Sequence, residues 1–368
     1  MKKVLILTTS TGQGHNQAAT SVAESFKNAG YEITKLDFLA KNSKLLNDII
    51  VVGYEMSASK FPKTYGAIYN LTDSKYINRF LKPPFYFARK KVAKLINEIN
   101  PDVIVASHSF SISVISDLKK HGLKAPFILI VTDFKAHYLY VDPYVDVYIT
   151  GSNYTKQSLI KRNIDPNKIY PIGIPIRKNF YTEVTSADTL KDNEYFNLLL
   201  MGGSLGLNTI FTVLKELLKN PNKLRIIVVC GNNDNLRNKL LKYCNDSEFM
   251  NKKLHILGFT KDISYLMDYC DVIVSKPGGL TVTESIVKNI PLIIPFAIPG
   301  QETENIDFLT SEGYSIYVKD IDKLNDTLNH LIANPDELSQ MKLKLKELSS
   351  TYSLTEIVNI ADNLISNK

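Results

Sequence analysis

Nowhere does the sequence carry the roughly 20 consecutive apolar residues that a membrane-spanning helix needs, so the chain is not expected to cross a bilayer, although it can lie on one. Met1-Lys2-Lys3 followed by an apolar run imitates an export signal. But Val4–Leu7 is too short for a signal core and runs straight into Thr8-Thr9-Ser10-Thr11-Gly12, which reads as a first β-strand and its loop. Cysteine is scarce. Cys230, Cys244 and Cys270 are far apart and form no Cys-x-x-Cys pair, which argues against a disulfide framework and for reduced thiols in the cytoplasm. A metal site is not expected either. The single Asp-x-Asp, Asp320-Ile321-Asp322, introduces a helical region and reads as a cap. There is no short-period repeat and no low-complexity tract.

What remains is an ordinary globular composition in 368 residues, enough for two hydrophobic cores. Short, nearly all-apolar runs alternate with helical patterns: Val4–Leu7, Glu32–Leu36, Val103–Ala106, Phe127–Val131 and Val147–Thr150 in the first half. The rhythm loosens over Ile176–Asn193, read as a hinge, and restarts with Phe196–Met201, Arg225–Cys230, His255–Leu257, Val272–Val274 and Leu292–Ile294. Apolar strands separated by helices imply parallel sheets covered on both faces. The expectation is an α/β chain of two doubly wound, Rossmann-like domains facing a central cleft, covering 1–178 and 194–350, with a last helix in 351–368 that packs back on the first domain.

In such sheets, ligands bind beyond the carboxyl ends of the strands. The first loop there is Gly12-Gln13-Gly14-His15, placed between strand one and a helix expected from about Gln17. Its glycines allow close backbone approach, and His15 has the titration range of a general base. A dinucleotide-binding loop is the competing reading, since Asp37 falls about 20 residues downstream, but Gln17 occupies the third glycine position. In the second half, Gly202-Gly203-Ser204-Leu205-Gly206 can cradle a diphosphate. Lys276-Pro277-Gly278-Gly279-Leu280-Thr281 leads to Glu284, a carboxylate able to accept two ribose hydroxyls, and Gln301, Glu302 and Asn305 supply the mixed donors and acceptors that suit sugar hydroxyls. Ser107-His108-Ser109 and Thr132-Asp133 through His137 also follow strands. On a helical turn Asp133 and His137 would share one face, either as a base with its orienting partner or as a structural pair.

In their order and spacing, these loops together resemble glycosyltransferase family 28, in particular the diacylglycerol glucosyltransferases and galactosyltransferases. The resemblance includes Tyr170–Arg177 and covers nearly the whole chain. It implies a GT-B fold and an inverting, metal-independent hexosyl transfer from a UDP-sugar, with no cofactor besides that co-substrate; the sequence leaves glucose and galactose both open as the sugar, with glucose the preferred reading. It further implies Gly12, Gly14, Arg177, Gly203, Ser204, Pro277, Gly278, Gly279 and Thr281 around the donor, the backbone near Phe259 at the uracil, Glu284 at the ribose, and Gln301, Glu302 and Asn305 at the sugar. His15 is the expected base, with Asp133 as rival or partner. The family often has a His-Pro pair after its Thr-Asp turn, whereas here Tyr138 follows His137.

The acceptor reading rests on the stretch from Lys60 to Lys91, where eight basic residues face one acid, Asp73, within a chain of net charge +7. Phe61, Tyr65, Arg79, Phe80, Lys82, Phe85, Tyr86 and Arg89 interleave rings and charges there, as a surface meeting anionic lipid would. The expected acceptor is diacylglycerol or its glycosylated product, met at the inner face of the cell membrane. Nucleic acid is not an expected partner, and the sequence leaves the oligomeric state open. The alternatives are UDP-N-acetylglucosamine transfer to a polyprenyl-linked peptidoglycan precursor, or a UDP-sugar 2-epimerase on the same fold.

Overall fold

A computed structural model describes residues 1–9, 13–37, 62–77, 89–182, 194–202, 207–245 and 249–367. The chain divides into two compact units. Unit 1 comprises Met1–Lys178, Pro299–Gln301 and Thr351–Lys368, and unit 2 comprises Asn179–Ile298 and Glu302–Ser350.

Unit 1 is built on β1 (Lys3–Thr8), β2 (Glu32–Asp37), β3 (Val103–Ala106), β4 (Phe127–Ile130), β5 (Val147–Ile149) and β6 (Ile169–Tyr170). They form one parallel sheet in the order β2-β1-β3-β4-β5-β6. Val4 to Leu7, Val103 to Ala106 and Phe127 to Ile130 are all fully buried, as strands covered on both faces must be. The helices are α1 (Gln13–Asn28), α2 (Pro62–Thr72), α3 (Arg89–Ile99), α4 (Phe110–Lys120) and α5 (Asn153–Ile160). Helix α3 buries Val92 and Ile96, one turn apart on one face. Ser152 caps α5 by accepting from the Thr155 N–H.

Unit 2 repeats the plan with β7 (Phe196–Met201), β8 (Leu224–Val229), β9 (Lys252–Leu257), β10 (Val272–Val274), β11 (Leu292–Ile294) and β12 (Ser315–Tyr317), in the order β12-β11-β10-β7-β8-β9. Its helices are α6 (Leu207–Leu218), α7 (Asp234–Asn245), α8 (Ile263–Asp268), α9 (Gly279–Val287), α10 (Gln301–Ser311), α11 (Leu324–Ala333) and α12 (Pro335–Ser349). Asp320 stands at the start of a 3₁₀ turn, Ile321–Lys323, but its side chain makes no capping hydrogen bond. The capping role expected for it is therefore not seen.

The last helix, α13 (Glu356–Ser366), belongs to unit 1. Asp362 accepts from Tyr31 Oη and pairs with Lys2, and the Tyr352 hydroxyl donates to the Gly151 carbonyl. Gly173 sits under that ring at φ +92°, and a Cβ there would come within 2.6 Å of Tyr352 Cγ. Only glycine meets both demands.

Each sheet reverses direction once. In unit 1 the strand order turns between β1 and β3, and in unit 2 between β7 and β10. At such switch points the loops leaving adjacent strands diverge to opposite faces and open a crevice. This feature of the fold positions the site.

Candidate active site

The unit 1 switch point is flanked by the chain leaving β1 and the chain leaving β3. Helix α1 begins at Gln13, four residues earlier than expected, so His15 stands inside its first turn and not on a loop before it. The Ser107 N–H donates to the Leu7 carbonyl at 3.1 Å, carrying the β1–β3 pairing one residue past Ala106 and setting the Ser107 carbonyl beside α1. His15 Nδ1 lies 2.8 Å from that carbonyl oxygen. A carbonyl can only accept, so Nδ1 carries the proton and Nε2 holds the free lone pair. Burial pushes the His15 imidazole below its ordinary 6.5, against an opposing pull from the Ser107 carbonyl. The ring is therefore neutral and able to accept a proton at neutral pH.

His108 meets His15 edge to face, with ring centroids 4.3 Å apart, and rests against Phe110 at 4.2 Å. Its Nδ1 accepts from the Phe110 N–H at 3.1 Å. Burial, and then the neighbouring His15, hold its pKa well below 6.5. A second neutral imidazole thus packs on the first without adding charge.

Thr132 and Asp133 follow β4. Both are buried, and the Asp133-to-His137 stretch is a bend leading into the 3₁₀ turn Tyr138–Tyr140, not the helical turn expected. His137 serves as the N-cap of that turn, its Nδ1 accepting from the Leu139 N–H at 3.1 Å, while its Nε2 lies 3.1 Å from the Tyr69 carbonyl. Asp133 Oδ2 accepts from the Tyr140 hydroxyl at 3.1 Å, and Oδ1 accepts from the Gln301 amide. Thr132 Oγ1 lies 3.3 Å from both His15 Nδ1 and Tyr140 Oη. The sequence reading missed Tyr140. Its one signal is position, seven residues past Asp133 on the same post-strand segment.

In unit 2 the switch point lies between β7 and β10. Gly203 and Ser204, like Gly12 in unit 1, lie outside the described residues. On the β10 side, Lys276-Pro277-Gly278 turns into α9, whose first N–H groups have no helical acceptor. Gly278 is the N-cap, extended at φ −67° and ψ 142°, with no side-chain cap. Gly279 and Thr281 are partly exposed on that first turn. Glu284 follows and is 9% exposed. Phe259, just past β9, is 63% exposed. Arg177 follows the fully buried Ile174 and Ile176 and is partly exposed in unit 1.

Two expected sugar contacts stand otherwise. Asn305 is fully buried, and its amide donates to the Pro277 carbonyl at 2.9 Å. Glu302 is buried, paired with Lys276 and accepting from the Ile298 N–H at 2.8 Å. Asn305 satisfies the Pro277 carbonyl of the Lys276–Gly279 turn, as a buried backbone group requires, and Glu302 holds the Lys276 side chain at its start. Among the described residues no group of three or more His, Cys, Asp or Glu is placed to hold a metal ion.

Of the basic-aromatic stretch, Phe61, Arg79, Phe80, Lys82, Phe85 and Tyr86 lie outside the described residues. Tyr65 is only partly exposed and lies beside Tyr69, ring centroids 6.4 Å apart. Arg89 pairs with Asp117 at 2.5 Å. The residues that face outward are Ile68 at 54%, Leu71 at 66% and Tyr76 at 82% exposure, with Lys63 and Lys75 alongside. The opposite face of α2 carries Gly66, where an added Cβ would come within 2.7 Å of Pro299 Cβ. Tyr65 is thus partly covered and Arg89 is tied to Asp117, while the outward apolar surface is carried by Tyr76, one of the aromatics of the stretch, together with the aliphatic Ile68 and Leu71. No helix of the described residues is long and apolar enough to cross a membrane.

Residues 15–176 match the family model of monogalactosyldiacylglycerol (MGDG) synthase, and residues 197–364 match the glycosyltransferase family 28 C-terminal domain. Proteins named processive diacylglycerol beta-glucosyltransferase are similar along the whole chain. The one from Bacillus pumilus is 30% identical, covering 100% of this chain and 97% of its own, and the one from Bacillus licheniformis is 28% identical over the same shares. Among solved structures, Acinetobacter baumannii MurG superposes with a TM-score of 0.69 at 16% identity, covering 99% of this chain and 100% of its own. The spinosyn rhamnosyltransferase SpnG, complexed with thymidine diphosphate, gives 0.68 at 10% identity, with coverage of 98% and 100%. These two neighbours share the GT-B architecture of two parallel-sheet units. With full-length relatives of one name and a family model matched in each half, the chain belongs to glycosyltransferase family 28, with the processive diacylglycerol β-glucosyltransferases.

Proposed function

We propose that this chain transfers glucose from UDP-glucose to diacylglycerol, or to a glucosylated diacylglycerol, at a membrane surface, with inversion at the anomeric carbon. The observation that carries the chemistry is the His15 ring, held by the Ser107 carbonyl with its Nε2 lone pair unspent. The substrates follow from the names of the full-length relatives, with support from a neighbouring fold, HepE from Anabaena, solved in complex with UDP-glucose at TM-score 0.59.

In this reading His15 Nε2 takes the proton of the acceptor hydroxyl as its oxygen attacks the sugar C1. The bond from C1 to the diphosphate oxygen breaks, and its electron pair leaves with UDP. Negative charge develops on the diphosphate, where the first-turn N–H groups of α9 and the Arg177 guanidinium would stabilise it, so the step does not call for a metal. Glu284 would hold the ribose hydroxyls, and the backbone near Phe259 would read the uracil edge. Glu302 and Asn305 act indirectly, by fixing the turn. The acceptor lipid would be met through Ile68, Leu71 and Tyr76, whose side chains can enter the headgroup region while Lys63 and Lys75 attract anionic lipid at about 1 kcal/mol each.

The test is radiolabel transfer from UDP-glucose, and separately UDP-galactose, into chloroform-extractable product, with diacylglycerol in anionic mixed micelles. Label from UDP-glucose alone is expected. Label from UDP-galactose alone would reassign the donor, and label from neither, with UDP still bound, would reject the diacylglycerol acceptor.

A further inference from the structure

The contacts behind His15 have one consistent assignment of protons. A phenol and an alcohol each have a single hydrogen to give. Tyr140 gives its hydrogen to Asp133 Oδ2, at 3.1 Å. The 3.3 Å contact between Thr132 Oγ1 and Tyr140 Oη must then be donated by Thr132. Thr132 has nothing left to give at its other 3.3 Å contact, so there it accepts from His15 Nδ1–H. That hydrogen is already directed at the Ser107 carbonyl, and the bond to Thr132 is the longer limb of a three-centre arrangement. The hydrogen bonds run one way, from His15 through Thr132 and Tyr140 to the Asp133 carboxylate. Gln301 donates to the other oxygen of that carboxylate and fixes its rotation.

We propose that Asp133 supports His15 at a distance through this relay of two hydroxyls, which makes Thr132, Tyr140 and Asp133 positioning residues of the transfer reaction. No proton needs to leave Nδ1. As Nε2 takes the acceptor proton, the imidazole gains positive charge, each hydroxyl shifts its hydrogen density toward the carboxylate, and the buried negative charge is felt through the chain. The relay also accounts for the two candidate bases. Asp133 is only 5% exposed with both oxygens accepting, whereas Nε2 of His15 is the group left to take a proton. Tyr140 keeps its hydrogen throughout, because burial, and then the adjacent Asp133, raise its pKa well above 10. The inference rests on His15 being the base.

Among the described residues, the titratable groups around His15 include His108 after β3, Asp133 and Tyr140 after β4, and Asp37, which ends β2 beside Thr8. Of these, Asp133 is the carboxylate to which the relay through Thr132 and Tyr140 leads, so cutting the relay lowers the basicity of His15. In Tyr140→Phe the ring remains and the link is lost. The expected result is a fall in kcat of about tenfold, with the KM for UDP-glucose within about twofold and the acid limb of the kcat profile displaced to lower pH. Thr132→Val should behave alike, and the double variant should be no worse than either single one, because the groups act in series. Thr132→Ser should recover most of the turnover that Thr132→Val loses. An unmoved acid limb, or single losses that multiply in the double variant, overturns the relay while leaving His15 as the base. Substantial turnover in His15→Ala would overturn the base assignment itself and the relay with it.

Discussion

The two switch points use the same topology for different purposes. In unit 1 the side chains of His15, Thr132, Tyr140 and Asp133 are joined by hydrogen bonds, with the Ser107 carbonyl accepting from His15 and the His108 ring packed on it. In unit 2, among the described residues, the polar groups gathered there are mostly backbone groups of a glycine turn and a helix start, braced by Asn305 and by the Lys276–Glu302 pair. A side-chain cluster tunes one atom, here Nε2 of His15. A backbone cradle offers several N–H groups to an anion and tunes none of them. On the proposed function, proton transfer falls to unit 1 and donor binding to unit 2.

The sharpest way to break that division is His15→Ala. It should lower turnover by about 10²- to 10⁴-fold, the usual share of a general base, while UDP binds the variant as it binds the native chain. Isothermal titration with UDP checks the second half of this statement, and a parallel loss of UDP affinity would give His15 a part in donor binding. Lys276→Met probes the brace on the other side. Glu302 would then be left buried beside the Ile298 N–H without its cation, at a cost of about 3 kcal/mol in urea unfolding. Adding Glu302→Leu should recover most of that loss, since an apolar pair of similar volume often replaces a buried ion pair at little cost. Glu284→Ala comes next. Losing hydroxyl contacts to a carboxylate should raise the KM for UDP-glucose by about 10- to 100-fold with a smaller change in kcat, the reverse of the His15 pattern.

The sequence was informative where a physical rule has a period or a punctuation mark. Strands such as Val103–Ala106 and Phe127–Val131 were legible because a doubly covered strand must be apolar throughout, and the loops after them because glycine marks close turns. Of the two strands the sequence does not announce, Ile169–Tyr170 has only two residues, and Ser315–Tyr317 opens on a polar residue and ends on an exposed Tyr317, so neither shows the all-apolar run of a doubly covered strand. Each sits at the edge of its sheet. Asn305 and Glu302 were assigned to the sugar because their types suit hydroxyls, but type does not reveal which way a side chain faces. The relay was illegible for a deeper reason. It joins α1, the turn after β3 and a 3₁₀ turn after β4, and an isolated Tyr140 in a loop looks like any partly buried aromatic. Only the β1–β3 register, which brings Ser107 beside Leu7, makes those segments neighbours.

The smallest expected effect separates the two units by acid sensitivity. Asp73, just past α2, accepts from the Tyr138 N–H at 2.8 Å and from Arg162 at 2.6 Å, tying that helix to the segment that carries Tyr140. Burial pushes its carboxyl up, but the Arg162 hydrogen bond, the Tyr138 N–H and the nearby charges of Arg162 and His137 outweigh it, leaving the pKa below the ordinary 3.8. A depressed carboxyl stabilises the fold fully above its unfolded value, and that contribution is lost as the pH falls through the lower folded value. Asp73→Asn should therefore cost about 1 kcal/mol at neutral pH, and the difference from the native chain should close below about pH 4. Thermal melts from pH 3 to 7 measure both. A gap that persists unchanged at pH 3 would mean that Asp73 acts by shape and hydrogen bonding alone, and that charge does not help hold the side-chain cluster of unit 1 in place.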